Sequence, residues 1–517
     1  MMIRSGRAAA SLTAVALLAL LAQPGTSRAA PHPASVALDP RHERGGAIPA
    51  NFVGFSVEWS LVERYMGPAA RPAFTNLLAN LGTGVLRVGG SSQDVMPFEP
   101  EAANTDEVIT PEDLGDIRST LDAANARDPR HARRPSWGVV LGTAMSPPSA
   151  SRPFVSPDHA RTFVRQGVAP AFAGAERDVA GIELGNEPDL SYGSGLDRYV
   201  GDLATYADPG VTGPFPIIAP NTSEDILPWT AVDQRTVPTR YFWDWPRILD
   251  TGAAPMKARA GAFGAYASDH FYPLARTCPN KPYRCPSIAA LLSDEHMQSL
   301  DYQAYVHARE AASHGLGYRL EETSTAAGRG ADGVSNVAAS AAYGLDLMFH
   351  AACPQPPGSP PANASCGTGA IGVNFHNAEV RAFFEPQEGN GYYNAIDYDP
   401  TPAMGAPAAA PLYYAALLFG RFAQGEGGLR PVTVREDAQV KAWRVGKRLF
   451  LINKGDHPVT LTVAAPGSSA RVDRMTPYDP TGAGRTLDAT EVRVDGRQVA
   501  ANGTWPGFRP EVERIRG

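Results

Sequence analysis

Short apolar runs alternate with longer stretches of helical spacing over most of the chain. Eight runs read as strands, over 52–59, 84–89, 137–144, 179–185, 216–220, 264–272, 317–322 and 370–376. Between them, 72–81, 111–125, 157–169, 287–315 and 336–352 carry the i, i+3, i+4 spacing of helices with one buried face. Strand and helix in regular alternation predict a parallel sheet, and eight units predict closure into an α/β (β/α)8 TIM barrel; an open doubly wound sheet is the rival arrangement. A last helix is expected over 410–424, after which the texture changes. Runs at 440–445, 448–453 and 459–463 alternate with a period of two, and Gly446-Lys447 and Gly455-Asp456 fall between them as hairpin turns. Further β pieces are expected at 471–475, 491–494 and 498–501, with 34–38 as an added strand. The domain reading is a barrel over 51–424 and an antiparallel β-sandwich over 425–517, with 30–50 joining the sandwich.

Residues 1–29 read as a secretory leader. Arg4 and Arg7 precede an apolar run over 8–22, broken only by Ser11 and Thr13, and Ser27-Arg28-Ala29 offers small residues at a cleavage point. The run falls short of the roughly 20 residues that span a bilayer. This predicts a secreted chain with no membrane attachment. The leader holds three arginines and no acids, so its removal takes the net charge from −7 to −10. A surface of that sign disfavours nucleic acid or a long polyanion as partner. The four cysteines form two close couples, Cys278/Cys285 and Cys353/Cys366; neither is C-x-x-C, so short-range disulfides are expected rather than a zinc site.

The chemistry gathers at two predicted strand ends. In Ile182-Glu183-Leu184-Gly185-Asn186-Glu187-Pro188 an apolar strand runs into a proline that stops it. The C-terminal ends of parallel barrel strands are where chemistry sits, so Glu187 should stand at the rim, with Asn186 beside it. Glu183, deeper on the same strand, should be a buried carboxylate paired with Arg87. A second strand ends in Arg319-Leu320-Glu321-Glu322-Thr323-Ser324. Two carboxylates on facing strand ends suit hydrolysis of a glycosidic bond: one protonates the leaving oxygen, and the other attacks the anomeric carbon or activates water.

The stretches Leu86-Arg87-Val88-Gly89-Gly90-Ser91-Ser92-Gln93-Asp94, Glu183-Leu184-Gly185-Asn186-Glu187-Pro188, Glu322-Thr323-Ser324 and Gly372-Val373-Asn374-Phe375-His376 together resemble glycoside hydrolase family 79, which holds β-glucuronidases and heparanases. The resemblance implies a retaining (β/α)8 glycosidase with Glu187 as acid/base and Glu322 as nucleophile. It further implies that Asn186, Asp94, Arg87, His270, Tyr272, Gly328 and Tyr393 surround the sugar, with Ser92, Asn374 and His376 nearby. No metal or other cofactor is implied; the partner is a small-molecule or oligosaccharide β-glucuronide. Two departures stand out. Glu321 is a second acid beside the nucleophile; neighbours on a strand point oppositely, so only Glu322 is expected to face the site. Ala327 stands where relatives often carry a tyrosine that holds the uronate, a task left to the Gly328 backbone or to Arg329.

Other readings are a β-glucosidase or β-galactosidase on the same barrel, a heparanase-like endo-glucuronidase, and a non-catalytic carbohydrate-binding protein. Gly328-Arg329-Gly330-Ala331-Asp332-Gly333 matches G-x-G-x-x-G. It arrives far into the chain, though, behind two carboxylates that would repel a pyrophosphate.

Overall fold

The computed structural model describes residues 17–18, 32–37 and 46–514, apart from 132, 134–135, 151, 224–242, 280, 356–365, 367, 381–388, 399–405, 465–468 and 481–485. Most of the predicted leader therefore lies outside the described residues.

Eight parallel staves form the barrel: β1 (Val53–Glu58), β2 (Gly84–Gly89), β3 (Trp137–Thr143), β4 (Val179–Leu184), β5, β6 (Tyr266–Phe271), β7 (Gly317–Thr323) and β8 (Gly372–Asn377). The fifth comes in two pieces, Ile217–Ile218 paired to β4 and Pro220–Thr222 paired to β6, so the sheet closes through Ala219. β1 to β4 are buried along their length, so apolar residues fill both of their faces rather than alternating with exposed ones. Val85, Val140, Ala180, Ile218, Phe263 and Tyr266 form an apolar plug inside. Polar side chains share the interior with it, and Ser56, Arg87, Glu183, Arg319, Glu321 and Asn374 are all buried.

The helices begin where the sequence supplies caps. Pro111–Asn125 starts on a reciprocal box in which Asp113 N–H donates to the Thr110 hydroxyl and Thr110 N–H to Asp113 Oδ2. The helix expected over 287–315 breaks in two, Ile288–Leu291 and Asp294–Ser313, because Ser293 accepts the His296 N–H and restarts the helix. The one expected over 157–169 is interrupted by a wider turn at Phe163–Val168.

Ala338–Ala352 is apolar on nearly every face because the barrel lies on one side and the C-terminal sheets on the other. Phe349 stacks on Trp443 and meets Phe450 edge-on. Lys454, itself buried, bridges Asp346 at 3.0 Å and Asp294 at 2.9 Å, tying two barrel helices to the sandwich. The sandwich has one sheet in the order Arg430–Val432, Val440–Val445, Arg448–Asn453, Leu17–Leu18, Arg474–Tyr478, Glu491–Val494, and a second of Val434–Arg435, His32–Ala37 and Val459–Ala464.

Three expectations are corrected here. The 459–463 run does not pair back on 448–453; Asn453 folds a corner by accepting Gly455 N–H and donating to the His457 carbonyl, and the strand crosses to the other sheet. The piece over 471–475 splits at Asp473 into Ser469–Val472 and Arg474–Tyr478, in different sheets. No strand forms over 498–501. Both cysteine couples are bonded as expected, Cys278–Cys285 and Cys353–Cys366, and among the described residues no helix is long and apolar enough to cross a membrane.

Candidate active site

The last turn of β4 is shaped by backbone that leaves the extended region. Gly185 has φ 76° and Glu187 has φ 46°, ψ 56°. A left-handed glutamate directly before proline is a strained position. It is held by a hydrogen bond from Glu187 N–H to the Asn221 carbonyl at 3.0 Å, and by Pro188 opening a short helix. The result turns the Glu187 side chain over the barrel mouth, where it keeps 21% of its surface exposed.

On the opposite side, β7 carries a bulge. Leu320 pairs with Asp269 and Glu322 with His270, so Glu321 is an extra residue in the ladder. The bulge cancels the alternation expected from sequence. Both carboxylates are buried toward the barrel interior, Glu321 bonding the Tyr266 hydroxyl at 2.7 Å at the level of the plug, and Glu322 standing above it.

Arg87 organises what lies between. Its Nε and Nη2 hold Glu183 at 2.5 and 2.6 Å, Nη2 also reaches Asn186 Oδ1 at 2.8 Å, and Nη1 reaches Glu322 Oε2 at 2.6 Å and Ser56 Oγ at 3.0 Å. Five contacts from one planar fork tie Glu322 to Glu183, Asn186 and Ser56, which a lysine would not do. Tyr272 donates to the other Glu322 oxygen at 2.7 Å. His270 Nδ1 lies 3.0 Å from Glu187 Oε1 and 4.0 Å from Glu322 Oε2. One oxygen of Glu187, one of Glu322 and a ring nitrogen of His270 all lie within 4.8 Å of one another.

The electrostatics of the acids differ. Burial pushes the Glu322 carboxyl up, but His376, His270, Arg87 and the Tyr272 hydroxyl outweigh it and hold the group well below the usual carboxylate range. Burial lowers His270, and the two glutamates it faces outweigh this and raise it, so the ring leans toward the imidazolium. Glu321 is pushed up to about 7 by burial and by Glu183. The Glu187, His270 and Glu322 donor types would also suit a metal ion. Arg87 brings a fixed positive charge to the Glu322 carboxylate.

The other expected residues distribute unevenly. Asp94 accepts the Asn186 backbone N–H at 3.4 Å and is pushed up to about 7 by burial, so it backs Asn186. Tyr393 stacks on Tyr272 with centroids 5.8 Å apart. Gly328 enters only through its neighbour Ala327, which packs on the Tyr272–Tyr393 pair; among the described residues no bond joins Gly328 to either carboxylate. His376 sits 3.8 Å from Glu322, whereas Asn374 serves the scaffold by accepting from Arg319 Nε at 2.8 Å. Ser92 takes no direct part and donates to Glu58 at 2.6 Å.

Glu58 itself escaped the sequence reading. It is fully buried at the end of β1, bonded to Ser92, His376 and Arg329; burial raises its carboxyl, but His376 and Arg329 bring it down to about 2. Its signal was the one that exposed the others, a glutamate closing an apolar strand. Arg329, with φ 72°, turns inward to Glu58 at 3.4 Å and hydrogen-bonds Tyr393, so the glycine-rich loop is a rim of this site.

No family model matches the chain, and no curated protein sequence does. Solved structures do. A 4-O-α-L-rhamnosyl-β-D-glucuronidase from Fusarium oxysporum 12S, in complex with Rha-GlcA, superposes with a TM-score of 0.61 at 15% identity, over 93% of this chain and 96% of that one. The family 51 α-L-arabinofuranosidase AbfB from Bifidobacterium longum gives 0.52 at 14% identity, over 91% and 95%. At these identities the likeness is one of fold, and it runs over nearly the whole chain.

Proposed function

We propose that this chain is a secreted, retaining, exo-acting β-glucuronidase of the family 79 kind, its leader removed after Ala29 and with it the Leu17–Leu18 strand that pairs between Arg448–Asn453 and Arg474–Tyr478. The reading rests on the closeness of the two acids: oxygens within 4.8 Å leave no room for a water between carboxylate and sugar, and suit a double displacement. Glu322, ionised and held from two sides, attacks the anomeric carbon while Glu187 gives its proton to the leaving oxygen. The glycosyl ester so formed is then opened by water, whose proton returns to Glu187. His270 Nδ1 lies 3.0 Å from one Glu187 oxygen, which leaves the other to face the leaving group. Arg87 supports the nucleophile, and Asn186 is oriented by it toward the sugar 2-hydroxyl.

Support for a uronic acid comes from Arg329 at the rim of the site and from the fold shared with a glucuronidase whose complex holds Rha-GlcA. A neutral sugar is the second reading, favoured by the engagement of Arg329 with Glu58 and by the missing hydroxyl at Ala327. Assay of p-nitrophenyl β-glucuronide, β-glucoside and β-galactoside decides between them: the glucuronide is expected to lead by at least about 100-fold in kcat/KM, the size of one well-placed polar recognition. Glu322→Gln is expected to lower kcat by about 1000-fold or more on any of them. Azide should restore turnover to Glu322→Gly on the activated substrate. Preference for glucoside would overturn the sugar, and an active Glu322→Gln the mechanism.

A further inference from the structure

Three segments of the sandwich meet at His32, Asp437 and His457. The strand His32–Ala37 lies in register with Val459–Ala464, and His32 N–H donates to the Pro458 carbonyl at 3.1 Å. That backbone pairing sets the His32 ring against the His457 ring, with centroids 4.0 Å apart and planes at 31°. His457 Nε2 lies 2.9 Å from Asp437 Oδ2. Asp437 is buried, and its other oxygen accepts Gln439 N–H at 2.9 Å. One donor atom from each of His32, Asp437 and His457 falls within 4.8 Å of the other two.

We propose that His32, Asp437 and His457 form a binding site for a divalent transition-metal ion of the zinc class, which fastens the N-terminal strand to the sandwich. Two imidazoles and a carboxylate are a donor set that zinc takes, with solvent completing the tetrahedron. Ligand atoms 2.0–2.1 Å from a tetrahedral ion stand about 3.3 Å apart. The 2.9 Å between His457 and Asp437 needs only a slight opening to admit the ion. The second ring nitrogen of His457 faces Asp456 Oδ1 at 3.5 Å, the carboxylate partner that fixes the orientation of a metal-bound imidazole. An ion pair of His457 with Asp437 accounts for two of the three groups; it gives no reason for the exposed His32 ring to lie over them. The three ligands come from the strand His32–Ala37, the turn after Val434–Arg435 and the corner after Arg448–Asn453, so the ion would bind the folded arrangement and stabilise it by mass action.

The test uses the full chain without an affinity tag, stripped with chelator. Titration calorimetry with Zn2+ is expected to give one ion per chain, and Zn2+ to raise the thermal midpoint while hydrolysis of an aryl glycoside stays unchanged. Co2+ in its place should show the visible absorption of a tetrahedral ion. His32→Ala, at an exposed position, should weaken binding by about 10-fold or more, and His32→Ala/His457→Ala should abolish it. No binding by the unaltered chain at about 100 μM Zn2+, or binding unchanged in the double variant, would overturn the proposal. So would binding lost in Glu187→Gln instead, which would put the ion among Glu187, His270 and Glu322.

Discussion

At the scale of single residues, the adjacent acids of β7 share one burial but not one charge state. Glu322 meets Arg87 and Tyr272, while Glu321 meets the Tyr266 hydroxyl through one oxygen and, among the described residues, has no hydrogen-bond partner on the other. Burial and Glu183 push Glu321 up to about 7, so near neutral pH it holds a proton for much of the time. An amide resembles that protonated acid in shape and charge. Glu321→Gln is therefore expected to keep kcat within about 10-fold of the parent, against the loss of three orders or more from Glu322→Gln. Steady-state kinetics of the two variants checks this, and the reverse ranking would move the nucleophile to Glu321. The assignment of the nucleophile to Glu322 rests on Thr323-Ser324 and the family resemblance. What the sequence hid was that both acids turn inward, because a bulge is defined by the partner strand's register and two adjacent glutamates look the same with or without one.

Strands reveal a different limit. Glycine 372 opens β8 at a point where the buried Arg319 guanidinium crosses the barrel; a Cβ there would lie 1.8 Å from Arg319 Nη1. Arg319 is held by Asn374 and by the Asn51 and Phe52 carbonyls, so it has no easy retreat. Gly372→Ala is expected to destabilise the fold by about 1–3 kcal/mol as an overpacked core. Gly427→Ala, with nothing within 4 Å of the new methyl, should stay within about 0.5 kcal/mol. Chemical denaturation followed by tryptophan fluorescence compares them, and equal effects would contradict the packing argument. The first staves were readable because burial on both faces makes them largely apolar, as in Trp137–Thr143 and Val179–Leu184. Short sandwich strands give no such signal: Glu511–Arg514 places Val512 in solvent, 70% exposed, and is a strand only through its ladder with Ser469–Val472. The same holds for Val459–Ala464, whose apolar pattern is clear and whose partner, thirty residues from the start of the chain, is not encoded locally.

Across the whole molecule, buried acids set how stability follows pH. Asp94, Glu321 and Asp397 are each raised by burial to about 7 in the folded chain, from ordinary values near 4. Between those values the native state binds more protons than the unfolded one, so stability falls as pH rises, by on the order of 3 kcal/mol for each such group over the window. His270 and His350 act in the same direction, since a raised histidine stabilises fully below its ordinary value and loses that contribution as pH passes its folded one. Glu58 and Glu322 are lowered and act oppositely, but their stabilisation is complete above about 4.5 and is lost only as pH falls below it. The two sets leave a maximum near pH 5 and a decline toward pH 8. Calorimetric scans are expected to show a higher midpoint at pH 5 than at pH 8, with the difference reduced in Asp94→Asn/Glu321→Gln, where two of the late-ionising groups are gone. A midpoint that rises from pH 5 to pH 8 would mean that these acids are ionised in the fold, and with them the assumption that Arg87 faces a single charged partner on β7 would fail.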